Sequence, residues 1–167
     1  MRILMSGNDQ TVLDEISSRV ELGNIFFTRL SADLKQLRHV ERMGIEVEVS
    51  YAIRSNKLLY RFKVKCELYG NSSSAARGEV AHPEADSVEL ARIELDLVSE
   101  YMPEKDFQLP GSEVLEEFGD KIAVYVAYPY IREAVSSMTL RLGFPALTLG
   151  LLQDGQRVPS SATGRRP

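Results

Sequence analysis

Residues 45–68 read IEVEVSYAIRSNKLLYRFKVKCEL, and this stretch decides the fold. Apolar side chains alternate with polar or charged ones on both sides of Ser55, Asn56 and Lys57. Such alternation, rich in β-branched and aromatic residues, is typical of strands with one solvent-facing side. The three residues in the middle favour a tight hairpin turn. The stretch therefore predicts two antiparallel strands, with Cys66 on the buried face.

Two further alternating segments flank this hairpin and predict a four-stranded antiparallel sheet. In the earlier segment, one predicted face holds Leu22, Phe26, Leu30, Ala32 and Leu34, and the other holds Arg29, Ser31, Asp33 and Lys35. In the later segment, the apolar face holds Ala91, Ile93, Leu95 and Leu97. A change of phase near Leu90 indicates a β-bulge or a late strand start there. The intervening residues 70–86 are polar and predict a mobile loop.

Helical periodicity appears before and after the strands. Residues 8–20 predict a short amphipathic helix. A longer apolar stripe begins after Ser112, the predicted N-cap, and continues to Gly143. Pro129 interrupts this stripe and is expected to kink or divide the helix. The sequence thus predicts an α+β domain over residues 1–152, a four-stranded antiparallel sheet followed by a long kinked helix, with a short N-terminal helix and a disordered tail over 153–167.

Composition excludes several classes of protein. The net charge is −4, which argues against a dedicated nucleic-acid binder. A single cysteine cannot form an intrachain disulfide, so we expect a reducing, cytoplasmic compartment. No apolar run is long enough for membrane insertion.

The residues offer little catalytic chemistry. His39 and His82 lie in separate predicted loops, and neither belongs to a group with the spacing of metal ligands. Cys66 reads as a small buried hydrophobe without a partner base. Without a phosphate-binding motif, we expect neither a cofactor nor an enzyme. The alternative is a small-ligand enzyme on a sheet-plus-helix scaffold, such as a hot-dog thioesterase, although those folds insert their long helix among the strands.

Aromatic and aliphatic residues concentrate around Pro129 and after Gly143. Their most prominent members are Tyr125, Tyr128, Tyr130, Phe144, Leu147 and Leu149. One interpretation is that they complete a single core. The other is an apolar groove that accepts an extended peptide. Periodicity alone leaves both open.

The same region resembles the SecB export chaperones. The similarity covers the run Tyr-Pro-Tyr-Ile-Arg-Glu-Ala at 128–134 and the run Gly-Phe-Pro-Ala-Leu-Thr-Leu at 143–149, with Arg141 between them. The resemblance implies a homotetramer built as a dimer of dimers. It implies a subunit interface that contains Tyr125, Tyr128, Tyr130 and Met138. It also implies that non-native chains bind in grooves lined by Phe144, Leu147 and Leu149.

Two departures from the family pattern modify these expectations. The second C-terminal helix is missing, and the acidic sheet surface that docks the SecA motor is matched only at Asp33 and Glu94. Arg29 and Arg92 stand where an acidic and an apolar residue are expected, which weighs against SecA as a partner. The sequence is thereby more similar to the SecB-like proteins of actinobacterial toxin–antitoxin systems. We expect an ATP-independent holdase whose partners are unfolded preproteins or an antitoxin.

Overall fold

Helices precede and follow a four-stranded sheet in this computed structural model, which describes residues 7–71, 87–147 and 149–150. The elements are α1 (Gly7–Arg19), β1 (Val20–Leu34), β2 (Arg42–Arg54), β3 (Lys57–Asn71), β4 (Ser87–Pro103), α2 (Ser112–Phe118), a π-helical turn (Gly119–Ala123) and α3 (Val124–Arg141). This order confirms the predicted α+β fold class. The sequence predicts the loop over 70–86, but residues 70 and 71 belong to β3, and residues 72–86 lie outside the described residues, as do His82 and the predicted tail at 153–167.

The sheet has the strand order β1-β4-β3-β2, and every neighbouring pair is antiparallel. Strands β2 and β3 pair without a register shift from Arg42 opposite Tyr69 to Arg54 opposite Lys57. The turn between them places Ser55 and Asn56 at φ values of 48° and 59°. Positive φ at both central residues suits the right-handed twist of a two-residue hairpin. The predicted hairpin is therefore confirmed.

Irregularities in register decide which residues of β1 face the helices. Shifts fall between Leu22 and Asn24 and between Phe27 and Arg29. They place Phe26 opposite Val98, on the face of the sheet away from the helices. The prediction that Phe26 shares a face with Leu22 is therefore wrong, because each bulge changes the phase of the strand. The shift predicted near Leu90 is present, since Leu68 pairs with Ala91 and Tyr69 with Glu89.

The core lies between the sheet and the helices and centres on Tyr60. This residue is fully buried, its hydroxyl donates a hydrogen bond of 2.6 Å to the Leu115 carbonyl, and its ring packs on Phe118. A Cβ at Gly119 would lie 2.7 Å from the Tyr60 ring, so only glycine allows the helix this close to the sheet. The π-helical turn begins at this contact.

Two predictions about the long helical region need correction or refinement. Gly111, rather than Ser112, is the N-cap of α2, since its carbonyl accepts the Leu115 N–H at 3.2 Å and Ser112 is already helical. Pro129 lies inside α3, which continues on both sides of it. Pro129 therefore does not divide the helix. A departure from α-helical geometry occurs earlier, at the π-helical turn, where Gly119 packs on Tyr60.

Candidate functional site on the surface of α3

The connecting segment, by which we mean the residues from Leu142 to Gly150 that follow α3, is attached firmly to that helix. Gly143 has a φ of 89°, which ends the helix in the left-handed region, and the Phe144 N–H then donates to the Thr139 carbonyl at 3.1 Å. The buried Thr139 hydroxyl donates to the Ser136 carbonyl at 2.8 Å and accepts the Leu147 N–H at 3.3 Å. The segment therefore runs back along α3.

The apolar side chains of this segment differ in their exposure. Phe144 is 3% exposed and Leu149 is 2% exposed, and both belong to the core of their own subunit. Leu147 is half-buried and packs against that core from its edge. Two of the three predicted client-binding residues thus anchor the segment in this structure, and only Leu147 presents apolar surface to solvent.

Tyr128 fixes the far end of the same segment. Its hydroxyl donates a hydrogen bond of 2.6 Å to the Gly150 carbonyl. Partial burial raises the pKa of this tyrosine, an effect opposed by the nearby Arg132 guanidinium. Tyr128, predicted from the resemblance as an interface residue, therefore has a partner within its own chain.

Beside this segment, one face of α3 borders an open groove of about 630 Å³. The groove is lined by Tyr128, Pro129, Arg132, Glu133, Ser136, Ser137 and Leu140. Spacings of three and four residues place these side chains along one side of the helix. Leu140 is 56% exposed, so an apolar side chain is available at one end, with Tyr128 and Pro129 at the other. Charged and hydroxyl groups lie between them.

Such an arrangement suits an extended polypeptide. The apolar ends can bury side chains of a bound segment, and the central Ser, Arg and Glu groups can pair with its backbone or polar side chains. Sequence reasoning named Tyr128 here, but it missed Arg132, Glu133, Ser136, Ser137 and Leu140 as lining residues. The signal that could have found them is the helical spacing of Pro129, Glu133, Ser136 and Leu140, which departs from the apolar stripe that faces the core.

Further apolar surface lies on another side of α3 and along the sheet edge. Tyr125 is 40% exposed and Tyr130 is 46% exposed, whereas Met138 is half-buried against the core. On β1, an edge strand, the exposed leucines of the helix-covered side are Leu22, Leu30 and Leu34. The helices do not extend over this edge, which leaves these leucines in contact with solvent.

The opposite face of the sheet carries charge that is largely paired. Glu94 accepts a hydrogen bond from Arg29 at 2.5 Å, and Asp96 pairs with Arg61. Asp33 is exposed and lies opposite Arg92 in the register of β1 and β4. Further pairs on or beside this face are Lys35–Glu89, Lys57–Glu100, Lys63–Glu48, Lys65–Glu67, Arg92–Glu67 and Arg92–Glu89. The two candidate motor-docking residues therefore sit among cations.

Other chemistry finds little support in the described part of the chain. Its His, Cys, Asp and Glu side chains form no group of three or more that could hold a metal ion. Cys66 is buried, and burial raises the pKa of its thiol to about 11. His39 is exposed. Within the described ranges, no helix has the length and apolar character needed to cross a membrane.

Comparison with solved structures finds a protein with a similar architecture. The structure of the Mycobacterium tuberculosis SecB-like chaperone Rv1957, in complex with a ChAD peptide from the antitoxin Rv1956 HigA1, matches with a TM-score of 0.68. The match covers 89% of this chain and 100% of that chain, at 18% sequence identity. The chain has the SecB-like fold. The fold implied by the resemblance at 128–134 and 143–149 is thereby confirmed.

The other comparisons add no argument about function. A protein of unknown function from Streptococcus agalactiae aligns over 79% of this chain and 97% of its own length at 9% identity, but its TM-score of 0.26 is too low to use. No protein-family model and no curated protein sequence matches the chain.

Proposed function

We propose that this protein is an ATP-independent chaperone that holds non-native segments of other proteins, with an antitoxin segment as its client, in the groove on α3. The observation that carries the proposal is the open, amphipathic groove beside Tyr128 and Leu140 on a SecB-like fold. Support for the kind of client comes from the M. tuberculosis neighbour, whose structure contains an antitoxin peptide.

Burial of apolar surface supplies the binding energy. Transfer of apolar area from water contributes about 25 cal/mol per Å². Ordering an unfolded segment costs much of that gain, so one groove binds weakly. Several grooves on one assembly raise the affinity because the second contact becomes intramolecular. This mechanism requires neither nucleotide nor metal.

The predicted client-contact residues divide into two roles in this proposal. Leu147 contacts the client, since its side chain is half-buried and its N–H donates a hydrogen bond to the Thr139 hydroxyl. The residue after Thr139 is Leu140, which lines the groove. Phe144 and Leu149 hold the connecting segment in place from inside the core. A bound client therefore contacts Leu147 and the groove residues of α3.

We place the assembly surface on the remaining exposed apolar residues. A second subunit would cover Tyr125, Tyr130 and the leucines of β1, an edge strand whose unpaired backbone groups favour strand addition. We propose the homotetramer implied by the resemblance, arranged as a dimer of dimers. Met138 and Tyr128 support this surface indirectly. Met138 packs on the core, and the Tyr128 hydroxyl donates a hydrogen bond to the Gly150 carbonyl.

Protection of an antitoxin fits this chain better than protein export. Export through the SecA motor would use an acidic sheet surface, and here Glu94 is paired with Arg29 while Asp33 lies opposite Arg92. We propose a cytoplasmic protein without SecA as a partner. A hot-dog thioesterase is not favoured, because α2 and α3 follow all four strands rather than being inserted among them.

Suppression of aggregation tests the proposal directly. Insulin reduced with dithiothreitol aggregates and scatters light, and Cys66 is buried and forms no disulfide, so the reductant leaves the chaperone intact. We expect stoichiometric tetramer to suppress the scattering without ATP. Scattering that is unchanged at a tenfold molar excess of protein would refute the holdase function.

A further inference from the structure

The chain leaves the described structure at one end of the groove. Gly150, the last described residue, has its carbonyl on the Tyr128 hydroxyl at 2.6 Å, and Tyr128 itself lines the groove. Residues 151–167 follow, and we call them the C-terminal segment. Whatever lies next along the chain therefore starts within reach of the same surface that the proposed client would occupy.

The first residues of the C-terminal segment match the groove in length. Tyr128 and Leu140 are twelve residues apart on α3, which corresponds to about 18 Å at 1.5 Å per residue. The chain runs from Thr139 towards Tyr128 before it reaches Gly150, so it must reverse direction after Gly150 to follow the groove towards Leu140. A turn over residues 151 and 152 would do this, and residues 153–156 would then cover about 13–14 Å at 3.3–3.6 Å per residue. Residues 151–156 are therefore long enough to follow the groove from Tyr128 as far as Ser136 and Ser137.

Residues 151–154 also match the groove in chemistry. The segment begins Leu151-Leu152-Gln153-Asp154, two apolar residues followed by a polar and an acidic one. In a segment that follows the groove, the two leucines would lie beside Tyr128 and Pro129, and Asp154 would lie within reach of Arg132. Arg132 forms no ion pair in the described part of the chain.

Net charge favours a position of the whole C-terminal segment close to the rest of the subunit. The C-terminal segment contains the basic residues Arg157, Arg165 and Arg166 and the acidic residue Asp154, for a net charge of +2. The whole chain carries −4, so the remaining residues carry −6. Attraction between the segment and the rest of the subunit increases the time that the segment spends near the groove.

We propose that residues 151–156 of the chain's own C-terminal segment occupy the α3 groove and that a client must displace them to bind. This inference rests on the proposed chaperone function and adds a means of regulating it. A segment tethered at Gly150 has an effective concentration in the millimolar range, so even weak contacts compete with a client. Binding of a client by several grooves at once overcomes this competition.

The test compares the full chain with a chain that ends at Gly150. The probe is reduced, carboxymethylated α-lactalbumin, which is permanently unfolded, and its binding is followed by fluorescence anisotropy. We expect the shortened chain to bind the probe at least about threefold more tightly, since removal of a tethered competitor raises the fraction of open grooves. A synthetic peptide of residues 151–157 should then weaken that binding when added in trans.

Substitutions in the full-length chain provide a second route that does not depend on truncation. The variant with Leu151→Ser and Leu152→Ser should bind the probe as the shortened chain does. The matched control is Val158→Ser, which removes an apolar side chain beyond the reach of residues 151–156 and should leave probe binding unchanged.

The outcomes separate this inference from the proposed function. Equal affinity of the full and shortened chains refutes occupation by the C-terminal segment but leaves the chaperone proposal standing. If a second copy of the chain covers the groove instead, the full and shortened chains bind the probe with equal affinity. Both affinities then rise when the protein is diluted, because the copies dissociate, and this result also refutes the inference. If neither form binds the probe, the chaperone function is refuted. The inference then fails as well unless the labelled 151–157 peptide binds the shortened chain.

Discussion

Leu140 provides the sharpest test of the groove. It is 56% exposed at one end of the groove, so replacing it should remove contact with a client without disturbing the core. Full burial of a leucine side chain contributes about 1.5–3 kcal/mol, and a client can bury about half of that area here. Leu140→Ser should therefore cost about 0.8–1.5 kcal/mol of binding, which is roughly a four- to thirteenfold increase in Kd.

A matched control exists on the far side of the molecule. Ile53 is 51% exposed, nearly the same as Leu140, but it lies at the hairpin end of β2, the other edge of the sheet. Ile53→Ser should leave the Kd for carboxymethylated α-lactalbumin within twofold of wild type. The assay is anisotropy of the labelled probe without ATP, with urea unfolding to establish that both variants are folded. Equal effects of the two substitutions would refute the assignment of the groove.

Three further predictions concern the connecting segment and the core. Phe144→Ala should lower the free energy of unfolding by about 3–5 kcal/mol because it empties a buried site; urea denaturation measures this, and a loss under 1 kcal/mol would contradict the anchoring role. Tyr128→Phe removes the 2.6 Å hydrogen bond to Gly150 and should lower the free energy of unfolding by about 1 kcal/mol in the same assay. It should also increase proteolysis after Gly143, and unchanged proteolysis would count against the attachment. Cys66 has a pKa raised to about 11, so the thiolate forms first in the unfolded chain and the stability due to Cys66 falls as pH rises from about 8 towards 11. Cys66→Ala should reduce this alkaline loss, and an identical pH dependence in the variant would refute its origin in the thiol.

The elements of the fold could be predicted because their signals are local. Alternation over residues 45–68 set both the hairpin and its buried face, and the change of phase near Leu90 marked the bulge correctly. Helical spacing located α1 to within one residue at each end. In each case the residues that carry the signal also make the contacts that stabilise the element.

Features that depend on distant contacts could not be predicted. The π-helical turn begins where Gly119 meets the Tyr60 ring across the core, and nothing in the residues around Gly119 indicates that contact. The burial of Phe144 and Leu149 likewise depends on how far the core extends beneath the connecting segment. An alternating apolar run predicts one buried face, but it does not reveal whether the cover is the chain's own core or a partner.

The most direct test of a client groove on α3 is photo-crosslinking from within it. Ser137 lines the groove and is half-buried, so a benzophenone amino acid at this position faces whatever binds there. We expect ultraviolet irradiation to join this variant covalently to labelled, carboxymethylated α-lactalbumin, whereas the same amino acid at Ile53 should give no adduct. Adducts of equal yield at the two positions, or none at Ser137 in a protein that still binds the probe, would contradict the account.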